Sequence, residues 1–138
     1  MKHIVLVGCS KTKCMCKVKA EEMYRGALFT KSLRYARVLR PHAIFILSAK
    51  YGLLDTDREI EPYELSLKTM STAQVKDWAA RVIEQMATRG DLEHDRWTFL
   101  AGQRYWAYLT PHIRLFETPL QGLSQGRQLH YLKERLSQ

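Results

Sequence analysis

Two apolar runs of strand length stand out along the chain, His3-Ile4-Val5-Leu6-Val7-Gly8 and Ala43-Ile44-Phe45-Ile46-Leu47. Short continuous apolar stretches bounded by polar residues read as buried strands, here over roughly 2–8 and 43–48. Between them Leu28, Phe29, Leu33, Ala36 and Leu39 recur at helical spacing, while Lys31, Arg34, Arg37 and Arg40 take the opposite side. This predicts a helix from about 26 to 40, ended by Pro41. A second helix starts at Ser71, where Gln74 completes a capping box. Val75, Trp78, Ala79, Val82, Ile83 and Met86 carry its apolar stripe into the core, and Gly90 closes it.

A third strand over about 96–101 leads into Gly102 and a short helix with Tyr105, Tyr108 and Leu109 on its inner face, broken at Pro111. A short strand near 115–119, a loop over 120–126 and a C-terminal helix with Leu129, Leu132 and Leu136 follow. Segments 9–24 and 49–70 read as long connections, and long connections in compact domains are often functional. Strands and helices alternate throughout. That order predicts one α/β domain over 1–138, three-layered and Rossmann-like, with a mostly parallel sheet of about four strands.

Parallel strands put their C-terminal ends on one edge, where open α/β sheets bind ligands. The polar residues after the strands then become candidates for one shared site. They are Cys9, Ser10, Lys11 and Lys13 after strand one, Ser48, Lys50, Tyr51 and Gly52 after strand two, and Gly102 and Tyr105 after strand three. Helix N-termini following strands one and three add backbone donors for an anion.

Charge sharpens the choice of ligand. Lys and Arg total 22 against 14 Asp and Glu, a formal net charge of +8 with neutral His. The excess favours an anionic partner such as a nucleic acid, a nucleotide or phosphate. Pro62 fixes a turn that aims the Tyr63 ring, and an aromatic ring beside cations suits base stacking. No nucleotide fingerprint is present, so no dinucleotide cofactor is expected. Gly8-Cys9-Ser10-Lys11-Thr12 lacks the glycine-rich run of a P-loop, and Gly122 and Gly126 supply two glycines where a dinucleotide fingerprint has three.

The apolar start is too short for a signal peptide, and no apolar run approaches the ~20 residues of a membrane span. A cytoplasmic protein with no membrane partner is expected, and the odd count of three cysteines agrees. Cys9, Cys14 and Cys16 form C-x4-C-x-C, which lacks the paired spacing of zinc sites, so no metal is expected. Cys9 itself reads as a small buried residue at a strand end, flanked by Lys11 and Lys13. The acidic group from Asp55 to Glu64 offers an alternative chemistry, a nucleoside or base N-glycosidase acting through Asp55 or Glu61.

The chain also resembles a widespread, poorly characterised domain family of bacteria and phages. The likeness rests on Cys9-Ser10-Lys11-Thr12-Lys13, Ser48-Ala49-Lys50-Tyr51-Gly52-Leu53-Leu54, Pro62-Tyr63 and Ala101-Gly102-Gln103-Arg104-Tyr105. Ala20, Glu22 and Tyr24 fit an A-x-E-x-Y element of that family, and the match spans nearly the whole chain. More distantly, Ser48, Tyr51, Gly52, Leu54, Pro62 and Tyr63 are similar to an element of the YaaA peroxide-stress proteins. Those proteins are linked to DNA binding and protection from oxidative DNA damage. The resemblance implies a fold and a site, with nucleic acid or nucleotide as the expected ligand, and no particular reaction.

Overall fold

The computed structural model describes residues 1–137. In chain order its elements are β1 (His3–Gly8), β2 (Val18–Lys19), α1 (Ala20–Met23), α2 (Ala27–Val38), β3 (Ala43–Ser48), β4 (Gly52–Asp55), β5 (Glu59–Ile60), α3 (Thr72–Arg89), β6 (Arg96–Leu100), α4 (Gln103–Trp106), β7 (Leu115–Glu117) and α5 (Gln125–Leu136). Single 3-10 turns occupy Leu67–Thr69 and Thr110–His112.

The two apolar runs pair with each other. β1 lies parallel to β3, with Ile4 opposite Ala43 and Gly8 opposite Leu47. Its other edge takes β6, also parallel, and β7 continues the sheet beyond β6. The four expected strands therefore form one parallel set with β1 at its centre. A fifth strand, β4, adds to the outer edge of β3 in antiparallel sense, giving the order β4-β3-β1-β6-β7.

Two expectations need correction here. The 49–70 segment is not simply a connection, because Gly52–Asp55 folds back on β3. Gly52 makes that turn at φ +71°, and a Cβ there would meet Gln85 Oε1. Gln85 instead holds the turn from α3, accepting the Leu53 N–H at 2.9 Å and donating to the Tyr51 carbonyl at 3.2 Å. The 9–24 segment likewise contains β2 and α1, and β2 pairs antiparallel with β5. The β3–β4 pairing is a local hairpin and the β2–β5 pairing joins distant segments, and the added strands have only two or four residues, too short to show a period.

Side-chain alternation sends the sheet's apolar residues to two faces. Ile4, Leu6, Phe45, Leu47, Trp97 and Phe99 pack with Trp78, Ala79, Val82 and Met86 of α3. Val5, Val7, Ile46 and Leu100 pack with Phe29, Leu33 and Ala36 of α2 and with Ala20 and Met23 of α1. Each fully buried Leu, Ile or Phe contributes about 1.5–3 kcal/mol. Helix α3 starts with the expected capping box, Ser71 Oγ accepting from Gln74 N–H and Gln74 Oε1 from Ser71 N–H. Helix α5 packs alongside α2, bringing the Tyr35 and Tyr131 rings edge to face at 6.4 Å. Among the described residues no helix is long and apolar enough to cross a membrane.

Candidate anion-binding cavity

The C-terminal ends of β1 and β6 open into a cavity of about 380 Å³. The loop after β1 forms one wall with Cys9, Ser10, Lys11 and Thr12, and the first turn of α2 forms the next. Leu100, Ala101, Gly102 and Tyr105 close it from β6 and α4, Gln125, Gln128 and Leu129 from α5, and Ser66 and Lys68 from the 3-10 turn. Two lysines and no carboxylate line it.

The sequence dictates this assembly locally. Ser10 Oγ accepts the Gly26 N–H at 3.0 Å and donates to the Thr12 carbonyl at 3.0 Å. Arg25 N–H donates to that same carbonyl at 2.8 Å. These bonds lay the 9–12 loop against the start of α2. A side chain at Gly26 would intrude, since its Cβ would stand 2.5 Å from Ser10 Oγ. On the opposite side, the Arg104 guanidinium donates to the Leu67 and Met70 carbonyls at 2.7 and 2.6 Å. This ties Ser66 and Lys68 to α4 at the cavity's rim.

Because its N-cap is glycine, α2 begins without a side-chain cap. The first N–H groups of a helix have no partner within it. Gly26 N–H is satisfied by Ser10, which leaves the Ala27, Leu28 and Phe29 amides at the cavity wall. A 12-residue helix adds the positive end of its dipole there. Farther along the same helix, Ser32 borders the cavity and is 1% exposed, and its Oγ is buried without a hydrogen-bond partner among the described residues.

A second polar cluster sits beyond the end of β3, outside this cavity. Ser48 Oγ accepts N–H bonds from Lys50 at 3.2 Å and Tyr51 at 3.1 Å. With both lone pairs used, its own proton goes to the Tyr63 oxygen at 2.7 Å, and Tyr63 passes its proton to Tyr24 at 2.6 Å. Burial, reinforced by the nearby Cys9 sulfur, pushes the Tyr24 phenol up to about 12 and raises Tyr63 further in the same direction. Tyr105 rises for the same two reasons. Its hydroxyl donates to the Cys9 carbonyl at 3.2 Å and lies 3.2 Å from Cys9 Sγ. The three phenols are therefore neutral at physiological pH.

Of the expected site residues, the structure brings Cys9, Ser10, Lys11, Gly102 and Tyr105 to the cavity. Ser48, Lys50, Tyr51, Gly52, Tyr63 and Lys13 belong to the neighbouring cluster. Lys13 Nζ stands over the Tyr63 ring at 4.7 Å, and Lys50 Nζ over Tyr51 at 5.3 Å. Tyr63 meets Tyr51 and Tyr24 edge to face, at 5.8 and 6.4 Å between ring centres. Its ring is engaged by the protein itself and offers little for a base to stack on.

The carboxylates considered for glycosidase chemistry lie elsewhere. Asp55 is held by both Arg89 terminal nitrogens at 2.7 and 3.0 Å, and Glu61 is exposed; neither lines the cavity. Cys14 and Cys16 face each other with sulfurs 2.6 Å apart. Among the described residues, no group of three or more His, Cys, Asp or Glu is placed to hold a metal ion.

Sequence reasoning missed Ser32, Ser66, Lys68, Gln125 and Gln128. Ser32 had a readable signal. It falls between Phe29, Leu33 and Ala36 on the apolar stripe of α2, where a hydroxyl has no place in a simple core. Lys68 and the glutamines had none, since they arrive from separate segments.

The model of DUF6884, a family of unknown function, matches residues 4–134. No curated protein and no solved structure matches the chain.

Proposed function

Since the chain belongs to DUF6884, whose function is unknown, its cavity is the ground for a functional reading, and we propose that it binds the phosphate of a nucleotide-class ligand there. The observation that carries this is the convergence of the uncapped start of α2 with Lys11 and Lys68 around a space that no carboxylate lines. Helix N-termini with nearby cations are ready-made sites for phosphate. A volume of about 380 Å³ lies at the lower end of ligand pockets and suits one small molecule.

A nucleic-acid strand is the second reading. It is favoured by the net charge of +8 and by the lysines of the 9–19 segment and Lys50. The Rossmann-like reading of the fold supports either ligand, because such frames bind phosphates at these strand ends. The motif likeness to YaaA proteins falls on Ser48, Tyr51 and Tyr63, and so on the closed cluster rather than on the cavity. It bears on the scaffold more than on the ligand.

Calorimetric titration with nucleoside monophosphates and with a short single-stranded oligonucleotide at about 50 mM salt tests the proposal. Binding of a monophosphate that weakens roughly 5–30-fold in Lys11→Ala is expected. Oligonucleotide binding without monophosphate binding, falling steeply with salt, would transfer the assignment to nucleic acid. A folded protein that binds neither would refute both.

A further inference from the structure

The first loop carries a pair of groups that the cavity does not use. Cys14 and Cys16 are both free thiols, one half-buried and one exposed, and their sulfurs face each other at 2.6 Å. Residues two apart in an extended chain have Cα atoms about 7 Å apart, at the limit for a disulfide. Here the backbone bends at Met15 and Cys16, which shortens that span. The intervening Met15 side chain is turned out to solvent, 85% exposed, and does not stand between the sulfurs. Neither cysteine lines the cavity, so the pair is independent of the phosphate reading.

The frame around the pair is fixed. Cys14 N–H donates to the Met23 carbonyl at 2.7 Å, Lys13 bridges to Tyr24, and Arg25 N–H donates to the Thr12 carbonyl at 2.8 Å. These bonds zip 12–14 against 23–25 and anchor Cys14. Arg25 lies beside it, with its Nε held on the Glu22 carbonyl at 2.9 Å. The two thiols are unequal. The Cys16 thiol and backbone N–H, helped by the Arg25 guanidinium, hold the Cys14 thiol below the ordinary range, and the contact with Cys14 pushes Cys16 up. The thiolate is the form that attacks. Among the described residues no further His, Cys, Asp or Glu joins the pair in a group able to hold a metal ion, so exchange chemistry suits it better than ligation.

We propose that Cys14 and Cys16 form a reversible disulfide site that exchanges with small-molecule disulfides of the glutathione class, Cys14 attacking and Cys16 resolving. The Cys14 thiolate attacks one sulfur of the small disulfide, breaks its S–S bond and releases one thiolate, which takes up the proton that Cys14 lost. The Cys16 thiolate then attacks Cys14 Sγ in the mixed disulfide, releases the second small thiol and closes the Cys14–Cys16 bond. The protein loses two electrons and two protons, and the small disulfide gains both to become two thiols. Lys11, Lys13, Lys17 and Lys19 in the same loop favour a partner that carries carboxylates, as this peptide does.

The folded full chain is incubated with oxidised glutathione, quenched with acid and alkylated, and its tryptic peptides are weighed. The Cys14–Lys17 peptide is expected to lose two hydrogens and to regain them with excess reduced glutathione, while Cys9 stays open to alkylation. Cys16→Ser halts the exchange midway and keeps a glutathionyl group on Cys14. Cys14→Ser reacts at Cys16 at least roughly tenfold more slowly than Cys16→Ser reacts at Cys14. Circular dichroism checks that each variant is folded. Both cysteines remaining open to alkylation, or a disulfide that joins Cys9 or a second copy of the chain instead, would overturn the site. Equal rates in the two single variants would overturn the assignment of Cys14 as the attacking thiol.

Discussion

Two polar clusters sit side by side at the C-terminal edge of the sheet, and they differ in how their hydrogen bonds close. Beyond β3, Ser48, Tyr63 and Tyr24 satisfy one another in a directed chain, with Lys13 lying over the rings. Beyond β1 and β6, α2 starts without a side-chain cap, and Ser32 Oγ has no partner among the described residues. Chemically suggestive residues occur in both, but in the first the hydroxyls bond to one another while in the second the uncapped helix start faces open space. Closed networks hold a fold together, whereas open ones await a ligand. The difference predicts that substitutions in the two clusters separate stability from binding.

The largest effect is expected beneath the closed cluster. Trp78 is buried, and its indole N–H donates to the Ser48 carbonyl at 2.9 Å. Trp78→Ala should cost about 3–5 kcal/mol, read from urea denaturation. Tyr63→Phe leaves Ser48 and Tyr24 each short of a partner, and should cost about 1–3 kcal/mol while sparing phosphate affinity. A loss of affinity in Tyr63→Phe without a loss of stability would erase the distinction between the clusters.

On the open side the sign reverses. Gly26→Ala sets a methyl against Ser10 Oγ and displaces the 9–12 loop from the start of α2. Phosphate affinity should fall roughly tenfold, measured by calorimetry, at a stability cost of about 1 kcal/mol or less. Normal affinity in this variant would mean that the loop does not shape the site.

The smallest effect lies at the sheet edge, away from both clusters. The Arg89 guanidinium beside Asp55 holds that carboxyl below the usual carboxylate range. The pair's stabilisation is present above the unfolded pKa of about 4, and is lost as pH falls through the lower folded value. Both groups are well exposed, so Asp55→Asn should cost no more than about 1 kcal/mol at neutral pH, and less still near pH 2. A larger cost at low pH than at neutral pH would contradict this sign.

Much of the parallel frame was legible, for particular reasons. The runs at 3–8 and 43–48 are apolar without interruption, as strands buried on both faces must be. Ser71, Gln74 and the stripe from Val75 to Met86 marked α3 from cap to core. Strands β2, β4 and β5 were not legible, because each is too short for periodicity and β2 and β5 are defined by a distant partner. The site divided along the same line. Residues directly after β1 and β6 reached the cavity because strand direction alone places them. The motif after β3 did not, because the chain turns back at Gly52 and Tyr63 draws Ser48 into a closed network. Lys68 and Gln128 are positioned by the Arg104 tie and by α5 packing on α2, which no local pattern records.

Backbone amide NMR during titration with a nucleoside monophosphate tests the central contrast most directly. The expected result is that the largest shifts fall on Ala27, Leu28 and Phe29 and on the 10–12 loop, while Lys50, Tyr51 and Tyr63 move little. Shifts concentrated on 50–63 with the start of α2 unmoved would contradict the account.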